Sequence, residues 1–495
     1  MASSAASSAP APLGLGLGLG VGAMGRGLLL PASDDHPNPA PAPPQMPGLV
    51  RLSCAVQHYE WGRRGPDSLV ARLASGGAAD GGGGGGGGDG PDTDRPCAEL
   101  WMGTHPSAPS SLAPGVSLRD WVARNPAALG RAVAARWGGD LPFLLKALSV
   151  AKALSIQAHP DRDLARALHA LRPAAYPDAN HKPEMAVAVT EFRALCGFAG
   201  VQELKEVLRT VREVRELVGK EEAGKIMSVK EHDGAIGVRS YLQSAFTNLM
   251  IASEEAVSEA ISKLKSRLNA ESKECGDWRL NKRWDNCSIW AANMLDVANK
   301  IRNLTMKEQL ALSLEKQYPA DVGVLAAFFF NYVKLRPGEA LYVGANEPHA
   351  YLSGECIECM ATSDNVVRAG LTPKYKDVQT LCSMLTYKQS SPEILRGIPV
   401  QPYVTRYTPP TDEFEIDRYL LPPRVSVTMS PVPGPSIFLV MSGKGEIQAG
   451  SMPDEAMAKE GNVFFVPAYT KVKLYASGPG CMQLYRAGVN SRFFS

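Results

Sequence analysis

The strongest constraint on the fold is a change of hydrophobic periodicity within the 495-residue chain. From about residue 201 to residue 335, apolar residues recur every three or four positions, which predicts helices. On both sides, short apolar runs broken by Gly and Pro predict strands. The first helices share a predicted apolar face made of Leu204, Val207, Leu208, Val211, Val214, Leu217 and Val218. We therefore predict a mainly β protein that carries an α-helical insert.

A capping signal marks the last predicted helix of this insert. Thr305 and Glu308 have the spacing of a capping box and precede an apolar run. Pro319 predicts the end of that helix, because proline cannot continue it.

The strand-rich regions predict two jelly rolls. Residues 48–200 and 336–400 are assigned to a first, cupin-like catalytic domain, residues 201–335 to a helical domain, and residues 401–495 to a C-terminal jelly roll without metal ligands. Two segments, Pro337–His349 and Glu460–Tyr469, look like weak copies of one strand unit. Only the first copy ends near a histidine.

Two segments have low complexity. Residues 1–47 are rich in Ala, Ser, Pro and Gly and cannot bury enough apolar surface to offset their ordering entropy, so we predict a disordered tail. Residues 75–93 contain a glycine run and predict a flexible surface loop. Plastid targeting by the tail stays open as an alternative, because the tail is Ser-rich and has no acidic residue before Asp34, although Arg26 is its only basic residue.

Charge and cysteine content narrow the class of partner. Lys and Arg total 52 against 50 Asp and Glu, so no overall field favours nucleic acid or an anionic membrane, and no long uninterrupted apolar run predicts a membrane span. Nine scattered cysteines indicate a reducing compartment, which favours the cytoplasm. Cys356 and Cys359 are predicted strand residues without a redox role. We expect a monomer.

Polar residues cluster in three stretches. On a strand, Gln157 and His159 face the same side, although such a pair is commonly an ordinary hydrogen-bonded pair. The stretch Tyr176–Met185 contains Asn180, His181, Lys182 and Glu184, and His349 ends a third stretch. The set Gln157, His159, Glu184 and His349 offers two nitrogen and two oxygen ligands, which suits zinc. Spacing alone does not assemble these four residues.

Longer sequence motifs connect these four residues. They are Gln57–Gly62, Ala98–Pro106, Leu141–Pro160, Asn180–Glu184 and Gly354–Glu358 followed by Arg368–Lys374. In this order they closely resemble the type I phosphomannose isomerase family, and the resemblance spans roughly Arg51 to Ser495. It implies a catalytic jelly roll, a helical domain and a further jelly roll.

The resemblance also implies an activity and its residues. Family members interconvert mannose 6-phosphate and fructose 6-phosphate and supply mannose phosphates for activated-mannose synthesis. One Zn²⁺ per chain would be held by Gln157, His159, Glu184 and His349, with Arg368 as a catalytic residue. Glu358, Lys182 and His181 are alternative proton carriers, and the choice among them stays open. Candidates for substrate binding are Ser155, Lys374, Trp61 and Asp364.

Two other function classes compete with this interpretation. The first is a non-catalytic, metal-containing cupin protein that binds a sugar phosphate. The second is an iron oxygenase, whose site would use two histidines and one carboxylate and which a Gln ligand fits poorly. The presence of all proposed ligands together with Arg368 and Lys374 favours the isomerase.

Overall fold

The strand His349–Ala361 organises the larger of the main sheets. It pairs with Phe143–Val150 and Glu184–Ala188 along its second half, and with Phe192–Phe198 along its first half. All of these pairings are antiparallel. The strands of this sheet, in chain order, are Ala55–Gln57, Glu99–Met102, Phe143–Val150, Ile156–Ala158, Glu184–Ala188, Phe192–Phe198, Phe330–Leu335, Ala340–Val343, His349–Ala361, Val367–Gly370 and Ile394–Leu395.

This computed structural model describes residues 47–78, 94–230, 235–272, 302–450 and 454–495. The predicted disordered tail, apart from its last residue, and residues 79–93 of the predicted loop lie outside the described residues. Residues 75–78 end the helix Leu69–Ala78, so the predicted start of the loop at residue 75 is wrong.

Gly354 is the point at which the long strand changes partners. Its φ is +112°, and a Cβ atom there would lie 2.4 Å from the backbone oxygen of Glu191. Only glycine fits both the backbone conformation and the space. The strand can therefore place His349 in one part of the sheet and Glu358 in another.

The C-terminal region forms two further sheets, as expected for a second jelly roll. The seven-stranded sheet has the order Val50–Leu52, Val463–Val466, Ser436–Ser442, Met482–Gly488, Glu415–Leu421, Val404–Tyr407 and Ile398–Gln401. The four-stranded sheet has the order Ser426–Met429, Val472–Ala476, Lys444–Ala449 and Asp454–Lys459. Apolar side chains of this region are buried between the sheets in a cluster that includes Phe438, Ile447 and Leu474.

Two strands lie across the expected domain boundaries. Val50–Leu52, assigned to the catalytic domain from the sequence, pairs with Val463–Val466 of the C-terminal sheet. Ile398–Gln401 pairs with Val404–Tyr407 of the same sheet, which moves that boundary towards the N-terminus. A single buried apolar cluster contains Leu145 and Ile357 of the first sheet together with Ile437 of the C-terminal sheet. The two jelly rolls therefore share a core.

The helical insert has the predicted apolar face, divided between two helices. Val211 separates Val201–Thr210 from Arg212–Val218. The predicted face is buried except for Leu217, which is partly buried against it. Within residues 201–230, 235–272 and 302–335, the other helices are Lys220–Ser228, Ala235–Met250, Glu254–Glu271, Met306–Gln317 and Gly323–Ala326.

The last long helix of the insert confirms the capping prediction. The predicted end of the insert at residue 335, in contrast, is wrong. The Thr305 side chain accepts from the Glu308 backbone N–H, the Glu308 side chain accepts from the Thr305 N–H, and the helix ends at Gln317, ahead of Pro319. Phe330–Leu335, predicted to be part of the insert, is a strand paired with Phe192–Phe198. The assignment of residues 330–335 to the helical insert is therefore wrong, because this segment is a strand at the edge of the first sheet.

The two predicted copies of a strand unit share their backbone. Gly338 and Gly461 precede the strands Ala340–Val343 and Val463–Val466, with φ of +88° and +82°. Asn346 and Tyr469 then occupy equivalent positions after the strands, with φ of +61° and +59°. The copies thus agree in their turns as well as in their strands.

Smaller elements complete the described chain. Described helices outside the insert are Leu69–Ala78, Leu118–Arg124, Arg131–Trp137, Arg162–Leu171 and Val378–Met384, with 3₁₀ turns at Gly65–Asp67, Pro126–Leu129 and Ser491–Phe494; a further 3₁₀ turn, Ala327–Phe329, ends the insert. Two small strand pairs join Arg63–Arg64 to Pro96–Cys97 and Ser111–Ala113 to Val116–Ser117. Among these described helices, none has the length and apolar character needed to cross a membrane. Cys356 and Cys359 lie in a strand as predicted, with buried free thiols.

We predict that Gly354→Ala destabilises the fold more than Gly138→Ala. Both glycines have positive φ, which costs an alanine about 1–3 kcal/mol, but a Cβ at Gly138 would meet no atom within 4 Å. The extra clash with the Glu191 backbone should therefore lower the midpoint of urea unfolding further in Gly354→Ala than in Gly138→Ala. Equal midpoints in the two variants would show that the bend at Gly354 tolerates a side chain.

Candidate metal centre and active site

Three ligand-type side chains meet at the edge of the first sheet. His159 directly follows the strand Ile156–Ala158, Glu184 begins Glu184–Ala188, and His349 begins His349–Ala361. All three are buried, and their ligand atoms lie within 4.8 Å of one another. The Glu184 carboxylate lies 3.3 Å from His159 Nε2 through Oε2 and 2.9 Å from His349 Nε2 through Oε1.

The hydrogen bonds of the two imidazoles leave both Nε2 atoms without a donor role. His159 Nδ1 lies 2.7 Å from the backbone oxygen of Asn365, and His349 Nδ1 lies 3.1 Å from that of Glu347. A carbonyl oxygen only accepts, so Nδ1 carries the proton and a neutral ring presents the Nε2 lone pair. Both Nε2 atoms are buried without a hydrogen-bond partner. Such a set of lone pairs around a carboxylate fits a divalent cation.

The charge states of the cluster agree with this interpretation. Burial and the nearby Lys182 lower the pKa of His159 to about 4, although Glu184 acts in the opposite direction. Burial alone would raise the pKa of Glu184, but Lys182 and the two imidazoles lower it well below its ordinary value. At neutral pH the site therefore holds a neutral His159 and an ionised Glu184, the protonation states that metal binding requires.

Gln157 stands in the same row as His349 and Arg368. It is the cross-strand partner of His349 on one side and of Arg368 on the other, and directly opposite residues share a face of the sheet. Its Oε1 accepts a hydrogen bond from Ser155 Oγ at 3.1 Å. The strand alternation read from the sequence therefore places an amide oxygen beside the histidines.

Asn346 fastens the two histidine-bearing segments together. Its backbone N–H donates to the His159 carbonyl at 2.7 Å. Its side chain donates to Asp161 Oδ2 at 2.9 Å and accepts from the Asp161 N–H at 3.2 Å. This left-handed residue links the His159 segment to the turn that leads into His349.

Arg368 is a half-buried cation without a carboxylate partner among the described residues. Asp364, four residues earlier, does not pair with Arg368 and lies 3.3 Å from His105 Nε2. Burial lowers the pKa of Arg368, but a guanidinium remains charged at neutral pH. A partly desolvated, unpaired cation in the ligand row is suited to an anionic substrate.

A second buried cluster lies on the same face of the sheet. Glu358, Lys146 and Trp101 are cross-strand partners in one row, and Lys146 Nζ lies 3.0 Å from Glu358 and 3.4 Å from Glu99. Burial raises the pKa of Glu358 although Lys146 opposes it. Burial would lower the pKa of Lys146, but Glu358 and Glu99 raise it above its ordinary value. Glu184 shares this face because it lies two residues from Ala186, the partner of Glu358.

Lys146 was not among the site residues expected from the sequence. The signal that would have identified it is its position, because it is the lone charge in the fully buried strand Phe143–Val150. Buried Lys is rare unless it is paired.

Among the remaining candidates, Lys182 contacts the ligand cluster and Lys374, Trp61 and His181 do not. Lys374 is exposed, and its backbone N–H donates to Thr372 Oγ1. Trp61 is half-buried and stacks on Tyr59 with ring centroids 5.8 Å apart. Lys182 Nζ lies 3.4 Å from Glu184 Oε2, whereas His181 contacts Arg162 and Glu413 rather than the three ligands.

Comparison with known proteins identifies the family. The catalytic, helical insertion and C-terminal domains of phosphomannose isomerase type I match residues 49–201, 217–330 and 407–452. Mannose-6-phosphate isomerase 2 of Arabidopsis thaliana is 50% identical over 90% of this chain and 94% of its own length. The human mannose-6-phosphate isomerase is 38% identical over 89% of this chain and 98% of its own length.

The chain belongs to the type I phosphomannose isomerase family. The family and fold class expected from the sequence are thereby confirmed. Solved structures agree: the apo mannose 6-phosphate isomerase of Salmonella typhimurium has a TM-score of 0.70 and 27% identity, and covers 90% of this chain and 100% of its own. A mannose 6-phosphate isomerase structure bound with zinc and yttrium has a TM-score of 0.70, 26% identity and the same coverage. A metal cofactor is therefore part of this phosphomannose isomerase fold and fits the buried His–Glu–His cluster.

We predict that His349→Ala abolishes stable zinc binding while His169→Ala retains it. His349 contributes one of the two unpartnered Nε2 atoms. His169 lies on a helix away from this cluster, and its Nδ1 bonds the Tyr176 carbonyl. Zinc content measured after gel filtration, and the rise in melting temperature on zinc addition, report the difference. Full zinc occupancy in His349→Ala would contradict the proposed cluster.

Proposed function

We propose that the chain interconverts mannose 6-phosphate and fructose 6-phosphate at one Zn²⁺ per chain, held by Gln157, His159, Glu184 and His349. The observation that carries this proposal is the pair of buried, unpartnered Nε2 atoms facing Glu184, within a chain that matches three phosphomannose isomerase domains. Gln157 is included because it stands in the same row of the sheet.

Isomerisation needs a proton moved between neighbouring carbons and stabilisation of the enediolate that lies between them. Bound zinc would supply Lewis-acid polarisation of the sugar oxygens. Arg368 is proposed to stabilise negative charge on the substrate, because its guanidinium lacks a described carboxylate partner and occupies the ligand row.

Three residues are candidates for carrying the proton. Burial raises the pKa of Glu358, which favours exchange nearer neutral pH, although Lys146 pairs with this carboxylate. Lys182 is buried beside Glu184. His181 is held by residues outside the ligand cluster, which leaves its other ring nitrogen for the exchange.

The substrate phosphate is assigned to Ser155 and Lys374. Lys374 is exposed, so it can meet an incoming dianion at little desolvation cost. Ser155 lies next to the ligand row through its bond to Gln157. Trp61 and Asp364 are proposed as further contacts, and the His105 pairing would orient the Asp364 carboxylate.

The non-catalytic alternative is less well supported. A protein that only bound sugar phosphate would have no need for the buried Lys146–Glu358 pair, and buried charges are costly to retain. The relatives carry the name of the isomerase. An amide ligand at Gln157 also disfavours an iron oxygenase.

The proposal also covers the cellular compartment and the oligomeric state. We propose a cytoplasmic monomer without a nucleic-acid or membrane partner. The near balance of charge supports the absence of an anionic polymer as partner. The described cysteines are free thiols, which supports a reducing compartment.

We predict that the purified chain converts mannose 6-phosphate to fructose 6-phosphate, and that chelation reversibly removes this activity. Returning Zn²⁺ should restore the rate, because the ligands remain in a preorganised sheet. A coupled assay for fructose 6-phosphate measures both steps. Absence of turnover in folded, zinc-loaded protein would favour the binding-protein alternative.

We predict that Arg368→Ala lowers kcat by about 100-fold or more while the zinc content stays unchanged, because a charge-stabilising group is removed without removing a ligand. The control is Arg396→Ala. The Arg396 side chain is 83% exposed, and its one ion pair among the described residues is a long contact of 3.7 Å to Glu339. Steady-state rates and metal analysis on the same samples separate the two effects. A near-normal kcat in Arg368→Ala would exclude this guanidinium from the mechanism.

A further inference from the structure

A carboxylate from the C-terminal region is buried against the ligand-bearing segments of the catalytic region. Glu413 Oε1 lies 2.6 Å from Arg162 Nη2 and 2.8 Å from His181 Nε2. The Arg162 and His181 nitrogens are themselves 2.7 Å apart. The Glu413 side chain is only 3% exposed. It precedes the strand Glu415–Leu421 and is therefore far in sequence from both partners.

Both partners of Glu413 stand close to metal-ligand candidates. Arg162 begins the helix Arg162–Leu171, shortly after His159. His181 precedes Glu184 in the same polar stretch. One carboxylate therefore connects two segments that carry separate ligands.

Glu413 is held ionised in this position. Burial would raise its pKa, but hydrogen bonds from His181 and Thr411 lower it to about 2. Thr411 Oγ1 donates to the second oxygen, Oε2, so each carboxylate oxygen has a partner. A buried carboxylate with this many donors has a fixed orientation.

The Glu413 carboxylate determines the tautomer of His181. Oxygen of an ionised carboxylate only accepts, so the contact at 2.8 Å is satisfied when Nε2 carries hydrogen. Arg162 Nη2 lies 2.7 Å from Nε2 and only donates, so with hydrogen on Nε2 it does not bond the imidazole, and the Arg162 N–H and the Nε2–H both donate to the same Glu413 oxygen. Among the described residues, Nδ1 of His181 has no hydrogen-bond partner. Nδ1 is therefore the nitrogen left for exchange.

We propose that Glu413 is a positioning residue for the isomerisation: it accepts Nε2–H of His181, orients the ring, and leaves Nδ1 as the atom that exchanges a proton with the substrate. This inference rests on the proposed function. Nδ1 takes the proton from C2 of mannose 6-phosphate, and the C–H electron pair becomes part of the enediolate double bond. The same proton is delivered to C1 while the O2 hydroxyl proton passes to O1, which leaves O2 as the ketone oxygen, so the imidazole ends in the protonation state in which it began.

The test is a double-mutant cycle of Glu413→Gln and His181→Ala. Glutamine keeps the size of the side chain, but its amide can donate to Nε2 and favour a proton on Nδ1. We expect Glu413→Gln to lower kcat by about tenfold or more and to leave KM within about twofold, because tautomer and orientation affect the proton transfer rather than binding. In the His181→Ala background, Glu413→Gln should cause no further loss.

The matched control is Asp412→Asn, which removes the neighbouring carboxylate. Asp412 forms an exposed pair with Arg492 at 3.2 Å and should leave kcat within about twofold. Zinc content and melting temperature of every variant are measured alongside the rates. A Glu413→Asp variant, which keeps the charge at shorter reach, should recover part of the lost kcat if it reaches Nε2.

The outcomes are separable. Wild-type protein without turnover contradicts the proposed function itself. Wild-type turnover combined with a normal kcat in Glu413→Gln or in His181→Ala contradicts only the positioning role. Equal fold losses from Glu413→Gln in both backgrounds, or losses that follow zinc content, would show that Glu413 acts on stability rather than through His181.

Discussion

The central physical constraint of this structure is a buried carboxylate that faces two imidazole lone pairs. The Glu184 carboxylate accepts, the Nδ1 contacts of His159 and His349 leave both Nε2 atoms as acceptors, and all three groups are buried. Three such groups at this spacing are costly to bury unless a cation lies between them. The backbone carbonyls of Asn365 and Glu347 enforce the arrangement by holding both Nδ1 protons.

The larger sheet positions the residues of this cluster on its strands. One strand carries His349 at its start and Glu358 beyond Gly354, so the candidate metal centre and the Lys146–Glu358 pair share one support. Ligands on adjacent strands are held more accurately than ligands on separate loops, which suits a reaction that needs fixed geometry. The shared core with the C-terminal sheet extends that support, and Glu413 brings a side chain of that region to the active-site segment.

Local patterns predicted the local structure well. The capping box at Thr305, the alternation of Gln157 with its buried neighbours, and the repeated turn before each copied strand all depend on nearby residues, and all are found. The long-range features could not be read in this way. Neither the pairing of Val50–Leu52 with the C-terminal sheet nor the meeting of Glu184 with His349 leaves a local periodicity. The family resemblance, rather than spacing, supplied the ligand set.

The catalytic assignments show the same division. Arg368 was found through a motif, and the structure adds that no described carboxylate neutralises it. The Lys146 cluster and the Glu413 contact were missed because their partners come from strands far apart in sequence. Such buried charges can be noticed in a sequence as exceptions within apolar runs, but their partners are fixed only by the register of the sheet.

The most direct test of the central claim is a crystal structure of zinc-loaded protein with anomalous diffraction recorded at the zinc absorption edge. We predict one peak per chain, about 2.0–2.2 Å from Gln157 Oε1, His159 Nε2, a Glu184 oxygen and His349 Nε2. A peak elsewhere, such as beside Glu99 and Glu358, or a zinc ion that lacks either histidine, would contradict it.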